Sequence, residues 1–202
     1  MRFAIDDAHL PATLTAHPMT DEQFAQLCAE HPDLFLEMTS EGDLLVMPPT
    51  HSLAAVSNGA IVGQLGNWAR TQSLGLVSGP SGGFLLPNGA RRSPDAAWTS
   101  KARLKQLTKK SLAGFWHLSP DFVIELKSDT DRLPVLRKKM AEWIENGATL
   151  AWLINPDSRA VEVYRPGTKP MKANGGALQS IRGEGPVEGF VLDLNLIWNP
   201  MA

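Results

Sequence analysis

PDFVIELKSDTDRLPVLRKKMAEWIENGATLAWLIN, residues 120 to 155, reads as a strand, a helix and a second strand in direct succession. Phe122 to Leu126 is a short apolar run typical of a buried strand, broken by one acid. In the middle, Leu136, Met140, Trp143 and Ile144 recur at i, i+4, i+7 and i+8, which is one face of a helix. Pro134 is tolerated in the first turn, and Gly147 supplies a stop. TLAWLIN and the following AVEVYRP read as strands separated by the turn PDSR. Glu125 and Lys127 are the anomaly, because side chains two apart on a strand share a face.

Upstream, TDEQFAQLCAEHPD predicts a helix: Thr20 and Gln23 form a capping box, Phe24, Leu27 and Cys28 make its apolar side, and Pro32 ends it. FLEMTSEGDLLVMPP reads as a hairpin turning at Glu41 and Gly42. From Leu53 to about Thr71, the apolar residues Val56, Ala60, Ile61, Leu65 and Trp68 predict a second helix. GGFLLPNG and SPDAAWTS predict two strands joined by a glycine-containing turn, and the basic KARLKQLTKK is a weaker helical segment. FVLDLNLIW reads as a last strand. The expected architecture is α/β, with a mixed central sheet flanked by helices. Residues 1–18 are expected to be an irregular lead-in and 19–202 a single domain.

Hydrophobic residues make up 43% of the 202 and charged residues 20%, which excludes disordered and collagen-like classes. Cys28 is the sole cysteine, so no intramolecular disulfide can form, and the opening residues do not read as a secretory leader. A cytoplasmic protein with no membrane span is expected. The net charge of -2 gives no global sign of nucleic-acid binding, so that inference rests on local clustering.

A buried carboxylate beside an ammonium costs several kcal/mol unless the pair is well satisfied or holds something else. Asp95 opens a second expected strand after Pro94. Two carboxylates on neighbouring strands repel unless a divalent cation sits between them, and hard oxygen ligands suit Mg²⁺ or Mn²⁺. This donor set fits phosphodiester hydrolysis: Asp95 and Glu125 as metal ligands, the carbonyl of Leu126 completing the set, and Lys127 beside the scissile phosphate or attacking water.

SPDAAW followed by PDFVIELKS resembles the PD-(D/E)XK nuclease superfamily. FLEMTSEGDLLVMPPTHS, RRSPDAAW and the run from ELKSDTD to VYRPG resemble, in that order, the Uma-type restriction endonuclease family over roughly residues 20 to 195. That resemblance implies a restriction-endonuclease-like fold, an Asp95, Glu125 and Lys127 triad, and Glu37 as a fourth acidic residue. Many of the family's members lack a lysine at the position of Lys127 and offer one from the following helix; this chain has both. On the helical wheel Lys138 faces away from the apolar stripe while Lys139 borders it, which makes Lys139 an accessory candidate behind Lys127.

Arg91, Arg92, Lys101, Arg103, Lys105, Lys109 and Lys110 face one acid, Asp95, over residues 91 to 110. The first five are the expected DNA-contacting cations, whose phosphate contacts would make binding salt-sensitive. Arg132, Arg137, Lys138 and Lys139 form a second basic run. Trp98 and Trp116 read as core or as base-stacking side chains. Cutting both strands of a duplex calls for a homodimer. Two other readings compete: a nucleic-acid-binding or regulatory module without turnover, and a serine hydrolase using Ser81 in GPSGG with Asp95 and His117. The second lacks the strand-turn-helix context a nucleophile elbow needs, since a strand is expected after Ser81. His51 precedes a helix and is left outside the catalytic set.

Overall fold

The computed structural model describes residues 10–15, 19–48, 52–112, 114–174 and 178–201. In chain order these form β1 (Ala12–Leu14), α1 (Asp21–Glu30), β2 (Phe35–Met38), β3 (Leu44–Met47), α2 (Ser52–Gln72), β4 (Gly75–Ser78), β5 (Phe84–Leu85), β6 (Arg91–Arg92) and β7 (Ala96–Ser100). There follow α3 (Lys101–Leu104), α4 (Lys109–Leu112), β8 (Phe122–Leu126), α5 (Leu133–Glu145), β9 (Leu150–Asn155), β10 (Ala160–Tyr164), β11 (Met171–Asn174), β12 (Ser180–Arg182), β13 (Val191–Asp193) and α6 (Asn195–Trp198). Among the described residues, no helix is long and apolar enough to cross a membrane.

The central sheet has six strands in the order β11-β10-β9-β8-β7-β4. It is mixed, as expected: β8 and β9, joined through α5, run parallel, and the remaining neighbours pair antiparallel. α5 packs one face, where Leu136, Met140 and Trp143 meet Val123, Ala151 and Leu153. On the other face, Ile61, Leu65 and Ala69 of α2, with Phe190 and Leu192, cover Trp98, Phe122, Ile124 and Trp152. A second sheet, β1-β3-β2-β6-β5, packs against α1 through Phe24, Leu27, Leu36, Met38 and Val46. The three-residue link Ser93-Pro94-Asp95 carries the chain from this sheet into β7 of the central one.

Several readings of the sequence meet their elements closely. Thr20 and Gln23 complete the capping box on α1, and Gly42, at φ 95°, turns the β2-β3 hairpin. Others change. Ala12–Leu14, inside the stretch read as irregular, adds a strand to β3. GGFLLPNG and SPDAAWTS do not pair with one another: β5 pairs with β6, a two-residue strand too short to leave a periodic signal, and β7 lies in the other sheet. FVLDLNLIW divides into β13 and the short helix α6. On α2 the buried face is Ser57, Asn58, Ile61, Leu65 and Ala69, while Val56 is exposed. Its first turns cover a polar region, so apolar periodicity misplaces the stripe there.

Candidate active site

Glu125 projects from β8 toward α5, and two residues one helical turn apart meet it. The Lys139 ammonium lies 2.9 Å from Glu125 Oε1 and 3.1 Å from Oε2. The indole N–H of Trp143 donates to Oε1 at 2.9 Å. Spacing of i and i+4 puts both donors on one face of α5. Lys139 also reaches Glu37 Oε1 at 2.8 Å and the carbonyl of Ser93 at 3.3 Å. Glu37, buried on β2, further accepts from Arg92 Nη1 at 3.1 Å and from the N–H of Ser93 at 3.0 Å. Arg92 then passes to Glu142 at 2.6 Å, back on α5.

Asp95 completes the group. Extending the β7-β8 register by one residue beyond Ala96 and Ile124 sets Asp95 opposite Glu125. Its carboxylate accepts from the N–H of Leu126 at 2.7 Å and from the Asn58 side-chain amide at 2.8 Å. Unlike Glu37 and Glu125, Asp95 keeps part of its surface open.

Burial sets the electrostatics. It pushes the Glu125 carboxyl up to about 8, with Asp95 and Glu37 adding to the rise and Lys139 opposing it. Burial likewise raises Asp95, against the Leu126 N–H, Lys139 and Asn58. At Glu37 burial acts upward too, but Lys139 and Arg92 together overcome it and hold the carboxyl below its ordinary value. Lys139 is raised because Glu125 and Glu37 outweigh its own desolvation. Four carboxyls, Glu37, Asp95, Glu125 and Glu142, thus share two cations, Lys139 and Arg92.

Such a set fits a divalent metal. The donors are hard oxygens, the carboxyls outnumber the cations four to two, and, among the described residues, a buried acceptor beside Asp95, the Asn58 Oδ1, has no hydrogen-bond partner. Among the described residues, no three His, Cys, Asp or Glu side chains form a ready cage. Asp95 and Glu125 would hold the ion with the Leu126 carbonyl and water, an arrangement Mg²⁺ favours.

Lys127 stands apart from this cluster. Its ammonium is 2.8 Å from Asp157 and 2.9 Å from the carbonyl of Ser128. β8 ends at Leu126, so strand alternation no longer aims the next side chain but one.

The basic run divides as well. Arg91 and Arg92, expected to contact DNA, are both 7% exposed: Arg91 pairs with Asp21 at 2.6 Å, and Arg92 joins Glu37 to Glu142. Their charge is spent inside the protein. Arg103 is tied to Asp121 and to the carbonyls of Ser119 and Gly147. Lys101 and Lys105 are exposed, at the end of β7 away from Asp95. A groove of about 600 Å³, lined in part by Val62, Gly66, Arg70, Leu76 and Lys101, lies at that same far end. Trp98 is core, and Trp116 packs edge-on against Phe84.

Ser81 occupies an exposed turn that leads into β5 and not into a helix, and His117 approaches Asp21 at 3.4 Å. Neither joins Asp95, whose partners are Asn58 and Leu126. His51 lies outside the described residues. Sequence reading missed Asn58, Trp143 and Glu142. The i, i+4 spacing of Lys139 and Trp143 was a usable signal for one of them, whereas Asn58 carries none.

A family model described as "Putative restriction endonuclease" (Uma2) matches residues 21–195. No curated protein matches the chain. Among solved structures, the chain is similar to the crystal structure of a putative nuclease belonging to DUF820 from Anabaena variabilis ATCC 29413. The TM-score is 0.73 at 16% identity, over 90% of this chain and 98% of that one, a likeness of fold. Since the matched span takes in most of its length, the chain belongs to the Uma2 family.

Proposed function

We propose that this protein is a metal-dependent endodeoxyribonuclease in which Asp95, Glu125 and the Leu126 carbonyl hold Mg²⁺ or Mn²⁺ and Lys139, in place of Lys127, is the catalytic cation. One observation carries the reading: the Lys139 ammonium sits within 3 Å of both Glu125 and Glu37, while that of Lys127 is taken by Asp157. A divalent cation bound here supplies polarisation of the phosphoryl oxygen and a more acidic water.

The protein's own groups do the rest. Trp143 fixes the Glu125 carboxyl, and the Leu126 N–H holds Asp95, whose partly open surface a phosphate can approach. Lys139, held by Glu37 and Glu125, places a positive charge next to that position and stabilises charge growing on the phosphate. Lys101 and Lys105 contact phosphates away from the scissile bond. Two copies, acting as a homodimer, would cut both strands.

Plasmid nicking with Mg²⁺ or Mn²⁺ tests this. Wild type should nick only with metal, and Asp95→Ala and Glu125→Ala should each lose at least about a hundredfold in rate. DNA binding by wild type with no metal-dependent cutting would support a binding module instead.

A further inference from the structure

Asn58 is 6% exposed on the second turn of α2, three residues before the core residue Ile61. Its amide Nδ2 donates to Asp95 Oδ1 at 2.8 Å. A carboxylate accepts and does not donate when ionised, so the amide nitrogen must face it and the amide oxygen must face elsewhere. That oxygen is buried and, among the described residues, has no hydrogen-bond partner. Burying an amide acceptor unpaired costs about 1 to 3 kcal/mol, so a purely structural asparagine is a poor occupant of this site. The cost is recovered if a donor arrives with a ligand. Of the two Asp95 oxygens, one is held by the rigid backbone N–H of Leu126 and the other, among the described residues, by the Asn58 side chain.

We infer that Asn58 is a positioning residue for the cation site, fixing Asp95 through Nδ2 and presenting Oδ1 to a water carried by the divalent ion. The inference rests on the proposed function. It adds a residue from α2 to a set otherwise drawn from β2, β8, α5 and the link before β7.

The test is Mn²⁺ binding to the full chain, measured by calorimetry with the metal alone, beside the thermal midpoint of the metal-free protein. Asn58→Leu keeps the shape and removes both polar atoms; Asn58→Ala is the second variant should Leu disturb folding. The expected result is a 10- to 100-fold loss of Mn²⁺ affinity, the usual effect of losing a residue that orients a ligand, with a metal-free midpoint near that of wild type. Unchanged Mn²⁺ affinity in a folded variant overturns the inference and leaves the nuclease reading standing. A lowered midpoint with unchanged affinity does the same, by showing a structural role. Absence of Mn²⁺ binding by wild type overturns both.

Discussion

Arg92 shows how far a residue's surroundings can depart from its sequence neighbourhood. Beside Arg91 in a basic run it reads as a surface charge, yet it is buried between Glu37, 55 residues away, and Glu142, 50 residues away. Those partners come from β2 and α5, and nothing local to the run announces them. Removing one partner of a buried charge pair leaves the other uncompensated, which typically costs about 3 to 5 kcal/mol. Arg92→Met should therefore lower stability by about that amount in urea unfolding, whereas a surface arginine would change it by under about 0.5 kcal/mol. The two lysines teach the same lesson in smaller compass. The wheel position of Lys139 at the edge of the apolar stripe was readable, and so was its ability to reach the sheet. That Lys127 turns to Asp157 was not, because it depends on where β8 stops and on the turn after β9.

At the scale of elements, α5 organises the site. Its apolar face seats it on the central sheet, and Lys139 and Trp143 ride on that seating. Arg137, on another side of the helix, ties it to β10 by hydrogen bonds of 3.0 and 3.2 Å to Glu162. These bonds hold the Glu162 carboxyl below its ordinary value, with burial opposing and the Tyr164 hydroxyl assisting. A carboxyl lowered in the folded state stabilises the fold above its unfolded pKa, near 4.3, and that contribution is lost as pH falls through the folded value. Arg137→Leu should accordingly lower the thermal midpoint at pH 7, and the gap to wild type should shrink as pH is taken below about 4. A gap that widens on acidification would contradict the assignment. Long, strongly periodic elements such as α5, β8 and β9 were legible because each satisfies its own pattern. β6, β11 and β12 were not, since two to four residues are defined by the neighbour they pair with.

Over the whole molecule, the site forms where two sheets and two helices meet. Glu37 comes from one sheet, Glu125 from the other, Asp95 from the short link between them, Lys139 from α5, and Asn58 from α2. The nuclease-like pattern of Pro94-Asp95 and Glu125 pointed to this meeting place. Charge distribution is a separate matter. β7 separates Asp95 from the exposed Lys101 and Lys105, a span of roughly 20 Å at about 3.3 Å per residue. If these lysines hold flanking DNA, Lys101→Ala with Lys105→Ala should flatten the slope of log affinity against log salt by up to about 1.8, near 0.9 for each lost contact. Buried Arg91 should leave that slope alone. An unchanged slope in the double variant would remove α3 from the DNA-binding surface.

The assignment of the catalytic cation is tested most directly by metal-dependent plasmid nicking with Lys139→Met and Lys127→Met side by side, each first shown to be folded. The account expects Lys139→Met to lose about a hundredfold or more in rate while Lys127→Met stays within a few fold of wild type. Loss of cutting in Lys127→Met with near-normal rates in Lys139→Met would contradict it.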